Sequence, residues 1–311
     1  MTEPRLIMLE GLPATGKSTI SDFLRMQLER NGKKAKWIHE VASPHPLLLY
    51  PEDGLQTWNP SLDEYEASAL EKWALFSGTA MRDEGTVYVL DSSFFQAQIF
   101  FFLWNNAPYE RLEKFIYKLY DAVKRLRPAL IYLYRENTEA SIAYLEKDRG
   151  IDGLESIWQR DKARPYYRDK PAGAEGFRQF LRDYAAFAGS LFDSLDCKKL
   201  SVEISQADWP RHRGEMLSFL ALENMASPAF YPPNGTYANE TQGFQIVVDG
   251  LTMIDPHGGE RALTPKSENK FYVACLPVIL RFEAPGQLVM SGMQICERWT
   301  TTGLKYVAAY P

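Results

Sequence analysis

Gly11-Leu12-Pro13-Ala14-Thr15-Gly16-Lys17-Ser18 fits the spacing G-x-x-x-x-G-K-[ST], and its surroundings are those such a loop requires. The apolar run Leu6-Ile7-Met8-Leu9 before it reads as a buried strand. Ile20, Phe23, Leu24 and Leu28 after it recur at helical spacing. Glycines let the chain turn so that successive N–H groups point at one phosphate chain, and the following helix adds its positive end. Residues Gly11, Leu12, Pro13, Ala14, Thr15, Gly16, Lys17, Ser18 and Thr19 are therefore the expected nucleotide cradle. Lys17 is placed to reach the β/γ-phosphates, and the Ser18 hydroxyl is placed to ligate Mg²⁺.

Working outward, residues 1 to about 222 alternate strand and helix signals. The strand candidates are Leu6–Leu9, Ala35–His39, Thr86–Leu90, Ala129–Tyr134 and Leu200–Ile204. Helical patterns fall at about 17–31, 61–84, 109–127, 138–148, 176–195 and 208–222, with a further helix expected over 94–104. Ser61 with Glu64 three residues later predicts a capping box at the head of 61–84. Strands joined by helices imply a parallel, doubly wound α/β sheet of five strands, because parallel pairs need crossovers.

The character changes near Met225. Ser227-Pro228 and Tyr231-Pro232-Pro233-Asn234-Gly235 punctuate the chain as a linker. Short strand-like runs follow at Phe244–Val248, Leu251–Ile254, Phe271–Ala274, Val278–Phe282, Leu288–Met293 and Leu304–Ala308, with turn signals at Asp249-Gly250 and Pro285-Gly286. The expected organisation is an α/β domain over 1–226 and an all-β domain over 227–311, the latter a small antiparallel barrel or sandwich.

Composition narrows the class. In a chain of 311 residues, 45% apolar content supports a sizeable core, and 13% aromatics leaves rings to stack on a flat ligand. A net charge of −5 argues against nucleic acid or an anionic membrane as partner. No apolar run approaches the roughly 18 residues of a membrane span. Cys197, Cys275 and Cys296 lack metal-ligand or CxxC spacing, and with no secretory segment they fit a reducing cytoplasm. No N-K-x-D guanine-reading motif follows the nucleotide cradle, since Asn269-Lys270 leads into Phe271-Tyr272, and no D-x-x-G switch follows the third strand.

Three further features bear on chemistry. Glu40 follows the second strand and Asp91 ends the third, so both fall at the carboxyl ends of parallel strands, where open α/β sheets bind ligands. Lys147, Arg149, Arg160, Arg164 and Arg168 cluster after the fourth strand, with Gly150 and Gly153 as hinge candidates. Taken together, the loop, the His39-Glu40 pair, Asp91 and the Arg-rich segment resemble the thymidylate-kinase and deoxynucleoside-kinase group of P-loop kinases, over residues 1 to about 222. The resemblance implies a five-stranded parallel sheet with an Arg-bearing lid, use of ATP and Mg²⁺, and phosphoryl transfer to a small acceptor. It implies that Glu40 is the general base, that Asp91 serves Mg²⁺ or orients the acceptor, and that Arg149 closes over the transferring phosphoryl. Asp91 is also open as the base. The group usually carries Arg after that acid, and this chain has Ser92-Ser93.

Trp58, Tyr65, Trp73, Phe76, Trp104 and Tyr109 are candidates for a ring platform, with core packing the simpler role for Trp73 and Phe76. The expected catalytic set is thus Lys17, Glu40, Asp91 and Arg149, with Ser18 and Asp91 for the metal. The acceptor is open among nucleosides, nucleotides, sugars and antibiotics, and ATP against GTP is open as well. The alternative is an NTP-dependent switch with the β domain as its interaction module. That domain loosely resembles small barrels appended to bacterial hydrolases at Gly235-Thr236-Tyr237 and Glu268-Asn269-Lys270-Phe271-Tyr272. It is expected to cover the acceptor site, bind a ligand or build a homodimer.

Overall fold

The computed structural model describes residues 3–49, 59–283 and 286–309. Trp58 and Pro285 lie outside them. The first half runs β1 (Leu6–Gly11), α1 (Lys17–Arg30), β2 (Lys34–Ile38), α2 (Leu62–Arg82), β3 (Thr86–Asp91), α3 (Gln96–Trp104), α4 (Tyr109–Val123) and β4 (Pro128–Tyr134). It continues through α5 (Thr138–Arg149), α6 (Ile151–Asp161), α7 (Gly173–Ser194), β5 (Lys198–Glu203) and α8 (Trp209–Leu220). The strands form one parallel sheet in the order β2-β3-β1-β4-β5. This is the P-loop NTPase fold expected from the sequence.

Strand β1 shows why the sheet is doubly wound. Leu6 and Met8 pack with α2, α3, α4 and α7 on one face, and Ile7 and Leu9 pack with α1 and α8 on the other. Helix α2 begins with the expected capping box: the Glu64 amide donates to Ser61 Oγ at 3.3 Å, and the Ser61 amide donates to Glu64 Oε2 at 2.8 Å. Helix α6 is additional to the expected elements. Glycines at 150 and 153 read as hinges, yet Gly150 (φ 75°) caps α5 and starts α6, and Leu154 anchors α6 in the core.

The second half is a closed antiparallel barrel of β6 (Gly235–Asn239), β7 (Phe244–Asp249), β8 (Thr252–Ile254), β9 (Glu260–Ser267), β10 (Lys270–Val273), β11 (Val278–Glu283), β12 (Gln287–Gly292) and β13 (Lys305–Ala308). Closure removes exposed sheet edges. Alternate residues such as Ile246, Val248, Leu280, Phe282, Leu288, Met290 and Tyr306 fill the interior. Strands β6 and β9 escaped the sequence reading because only Tyr237 in β6, and Leu263 and Pro265 in β9, are buried. The turn expected at Asp249-Gly250 sits one residue later. Asp249 pairs with Thr252 across Gly250-Leu251.

The connecting stretch has no regular structure but is tied to the end of α1. The Met225 amide donates to Gln27 Oε1 at 2.9 Å, and the Asn31 amide group donates to the Glu223 carbonyl at 3.0 Å. Among the described residues, no helix is long and apolar enough to cross a membrane.

Candidate active site

The loop between β1 and α1 bends through Ala14 (φ 61°) and Gly16 (φ 86°). Gly11 (φ 150°) has no room for a side chain, since a Cβ there would lie 2.3 Å from the Leu133 carbonyl oxygen of neighbouring β4. The Lys17 ammonium is buried and donates to the carbonyls of Gly11 (3.0 Å) and Leu12 (2.8 Å). Burial pulls its pKa below the ordinary lysine range, opposed by Glu40, Asp91 and Glu10. An ammonium desolvated amid three carboxyl groups is poised for a stronger anionic partner.

Asp91, at the end of β3, is fully buried. Its Oδ1 accepts from the Ser92 hydroxyl at 2.9 Å, and the Ser18 hydroxyl is near enough to oppose the rise of its pKa. Oδ2 is buried with no protein partner. Burial, reinforced by the neighbouring Glu40, raises the Asp91 pKa, and His39 and Lys17 work against that rise. Asp91-Ser92-Ser93 could also cap the helix that follows, but that turn is held by another residue. Glu10, in β1, accepts from the amides of Phe94 (2.7 Å) and Gln96 (3.1 Å) and so holds the turn into α3. Burial raises the Glu10 carboxyl to about 7, against the pull of those amides and Lys17.

Glu40 is half-buried just past β2 and accepts from Gln96 Nε2 at 3.1 Å. His39 turns its Nδ1 back to accept from the Val41 amide at 3.2 Å, a local packing role. Arg149, at the end of α5, faces the same cleft, near enough to lower the Lys17 pKa by repulsion. Pro13, Ala14, Gly16, Lys17, Ser18, Thr19, Glu40, Ser92, Gln96, Arg149 and Arg160 line one cavity of about 430 Å³. Lys17, Ser18, Glu40 and Arg149 therefore share this cleft, and Asp91 lies buried close to Lys17 and Glu40 without lining it. Arg160 reaches the cleft while forked onto Asp161, at 2.8 and 2.6 Å. Arg164 lies over the Trp104 ring at 5.0 Å, whereas Lys147 and Arg168 are exposed and do not line the cleft.

Two smaller cavities flank this cleft. One, of about 170 Å³, shares Ser92, Gln96, Phe100 and Arg160 with it and adds Leu48, Leu49, Tyr65, Phe101 and Trp104. Tyr65 stacks on Phe101 at 3.8 Å and donates to Gln98 at 2.7 Å. Of the ring candidates, Tyr65 and Trp104 line this cavity. Trp73 and Phe76 pack in the core against Phe94 and Tyr88, and Tyr109 packs on Phe187. The other cavity, of about 340 Å³, lies on the far side of the loop between Gly16, Thr19, Arg135, Tyr144, Asp148, Trp209 and Arg213.

Sequence reading missed Glu10, Gln96, Arg135 and Trp209. Glu10 carried a usable signal, a charge inside a strand otherwise buried on both faces. Gln96 and Trp209 carried none, because only tertiary folding sets them beside the loop.

No family model and no curated protein matches the chain. Among solved structures it is similar to the crystal structure of APE1195, at 13% identity over 71% of this chain and 96% of that one, with a TM-score of 0.38. It is likewise similar to thymidylate kinase from Candida albicans, at 14% identity over 72% of this chain and 96% of that one, with a TM-score of 0.39.

Proposed function

We propose that the protein is an ATP- and Mg²⁺-dependent phosphotransferase that moves a γ-phosphoryl group onto a hydroxyl or phosphate of a small molecule. The observation that carries this reading is convergence. Loop residues 13–19, Glu40 and Arg149 meet in one cleft, with Asp91 buried beside Lys17, and this cleft joins an aromatic cavity on one side and has a base-sized cavity on the other. In this reading the phosphates of ATP lie along residues 11–19, and the base lies against Trp209, Arg135 and Arg213. The acceptor enters over Tyr65, Phe101 and Trp104.

Ser18 and Asp91 suit Mg²⁺: both offer oxygen, they are near one another, and Asp91 Oδ2 has no protein partner to lose. Bound there, the ion would neutralise charge on the phosphates. Glu40 takes the proton from the acceptor oxygen as that oxygen bonds to the γ-phosphorus. The bond from phosphorus to the β–γ bridging oxygen breaks, and ADP leaves. Lys17 and Arg149 stabilise charge on the equatorial oxygens, so catalysis is mainly positioning plus electrostatics.

Screening nucleosides, nucleotides, sugars and antibiotics with ATP and Mg²⁺, and reading masses, tests this. A product heavier by one phosphoryl group with wild type, and absent with Lys17→Ala, is expected. Hydrolysis at one rate whatever is added would favour the switch.

A further inference from the structure

We propose that the barrel is a working part of the cleft, with Ile295 as the positioning residue that fixes the backbone carrying Glu40. The inference rests on the phosphotransferase reading above and on a contact between the two sheets.

Strand β2 is an edge strand, and the chain leaves the sheet after Ile38. Within the parallel-sheet half, residues 41–43 are held only locally among the described residues: the amides of Val41 and Ala42 donate to Nδ1 and the carbonyl of His39. The long-range bonds come from the barrel. Ser43 donates its amide to the Gln294 carbonyl at 3.1 Å, and Cys296 donates its amide to the Val41 carbonyl at 3.1 Å. Ala42 and Ile295 form an isolated antiparallel bridge between these bonds, both buried. Residues 294–296 thus run antiparallel beside the segment that follows Glu40, bridged at Ala42 and Ile295.

The barrel side of this bridge is built to stay put. Gly292 ends β12 at φ 90°, where a Cβ would lie 2.4 Å from the Pro277 carbonyl oxygen, so the chain leaves the barrel wall by a turn that favours glycine. The Ile295 side chain is sunk in the barrel core beside Trp299, and its amide donates to Thr300 Oγ1 at 3.2 Å. The barrel itself is fixed against α1, the helix that starts at Lys17. Tyr272 donates to Glu29 at 2.5 Å, Lys266 pairs with the same carboxylate, and the Cys275 amide donates to Asp22 at 3.1 Å. Arg25 lies between the rings of Tyr272 (4.3 Å) and Trp37 (5.5 Å). One body therefore grips both the helix behind the phosphate loop and the segment behind the base. Displacements near 1 Å at a reacting group cost on the order of 10²-fold in rate, so this grip matters for turnover.

The test compares Ile295→Ala, the conservative Ile295→Val, and Thr300→Val, which removes the acceptor of the Ile295 amide and serves if the alanine variant does not fold. Each is made in the full chain, alone and with Glu40→Gln. Turnover is followed with the acceptor found by the mass screen or, lacking one, as ATP hydrolysis. Amide hydrogen exchange is read in the same samples. The proposal expects faster exchange at 41–43 in Ile295→Ala, unchanged exchange at 11–19, and unchanged KM for ATP. It expects kcat to fall about 10- to 100-fold, Ile295→Val to stay near wild type, and no further loss when Ile295→Ala is added to Glu40→Gln. Unchanged exchange at 41–43 overturns the proposal whatever the activity. Losses that multiply in the double variant overturn it while leaving Glu40 as the base. Normal turnover by Glu40→Gln alone overturns the base assignment, and the proposal with it.

Discussion

Two buried aspartates, one in each half of the molecule, show how differently the sheet and the barrel treat polarity. Asp255 in the barrel accepts from the amides of His257 (3.0 Å) and Gly259 (2.9 Å) and from Arg261 Nε (2.9 Å). Burial raises its pKa, but these hydrogen bonds outweigh burial and leave the pKa lowered. Asp91 in the parallel sheet is buried more deeply, one of its oxygens has no partner, and its pKa is raised. A buried acceptor left unpaired costs on the order of 1–3 kcal/mol. The barrel's aspartate is built for stability. In the proposed reading the sheet's is held for Mg²⁺, and Lys17, folded onto carbonyls of its own loop, is held for phosphate.

The sharpest break in that contrast would come from Lys17→Ala. The variant should remain folded, because its ammonium is spent on loop carbonyls rather than on the apolar core, and it should lose at least about 10²-fold in turnover. Turnover and ATP affinity at wild-type levels would remove the loop from the site. The two acids of the cleft come next. Glu40→Gln should keep ATP affinity and lower kcat by about 10²-fold or more, the usual weight of a general base. Asp91→Asn should weaken the dependence on Mg²⁺ and slow transfer to every acceptor tried. Should Glu40→Gln turn over normally while Asp91→Asn does not, Asp91 is the base.

Glu10 sharpens the contrast through pH. Its carboxyl keeps its proton to about pH 7 in the folded chain, while an unfolded glutamate loses its own near 4.5. Between those values the unfolded state is the one that has given up the proton, so stability falls as pH rises and is level above about pH 7. Relative to Glu10→Gln, wild type should lose about 3 kcal/mol across that window, by chemical denaturation at several pH values. A wild type that instead gains on the variant as pH rises would mean that Lys17 keeps Glu10 ionised.

The smallest expected effect concerns the connection. We propose domains over 1–226 and 227–311, and limited proteolysis within 228–233 should leave a stable fragment of about 220–230 residues. Because residues 223–227 are bonded to α1, cutting should be confined to the Pro-rich part. Cleavage spread evenly over both halves would contradict the boundary.

The same contrast explains what the sequence revealed. The phosphate loop, the five strands and the capping box are local patterns, and each stands where its spacing puts it. That Glu40 and Asp91 lie near the loop was legible because parallel topology sends the carboxyl ends of strands to one crevice. Trp209 and Gln96 were not, since each reaches the loop only through packing between distant elements. The barrel was harder to read, because β9 presents just Leu263 and Pro265 to the interior. The bridge from Ile295 to Ala42 has no signature at all, being two backbone segments over 250 positions apart.

In the proposed function this cleft transfers phosphate to a molecule rather than to water. The most direct measurement follows ADP and free phosphate together, with Mg²⁺, in the presence and absence of the acceptor from the mass screen. The acceptor should speed ADP formation while free phosphate fails to keep pace, the difference appearing as phosphorylated acceptor. ADP and phosphate rising in equal amounts, at one rate with or without acceptor, would contradict it.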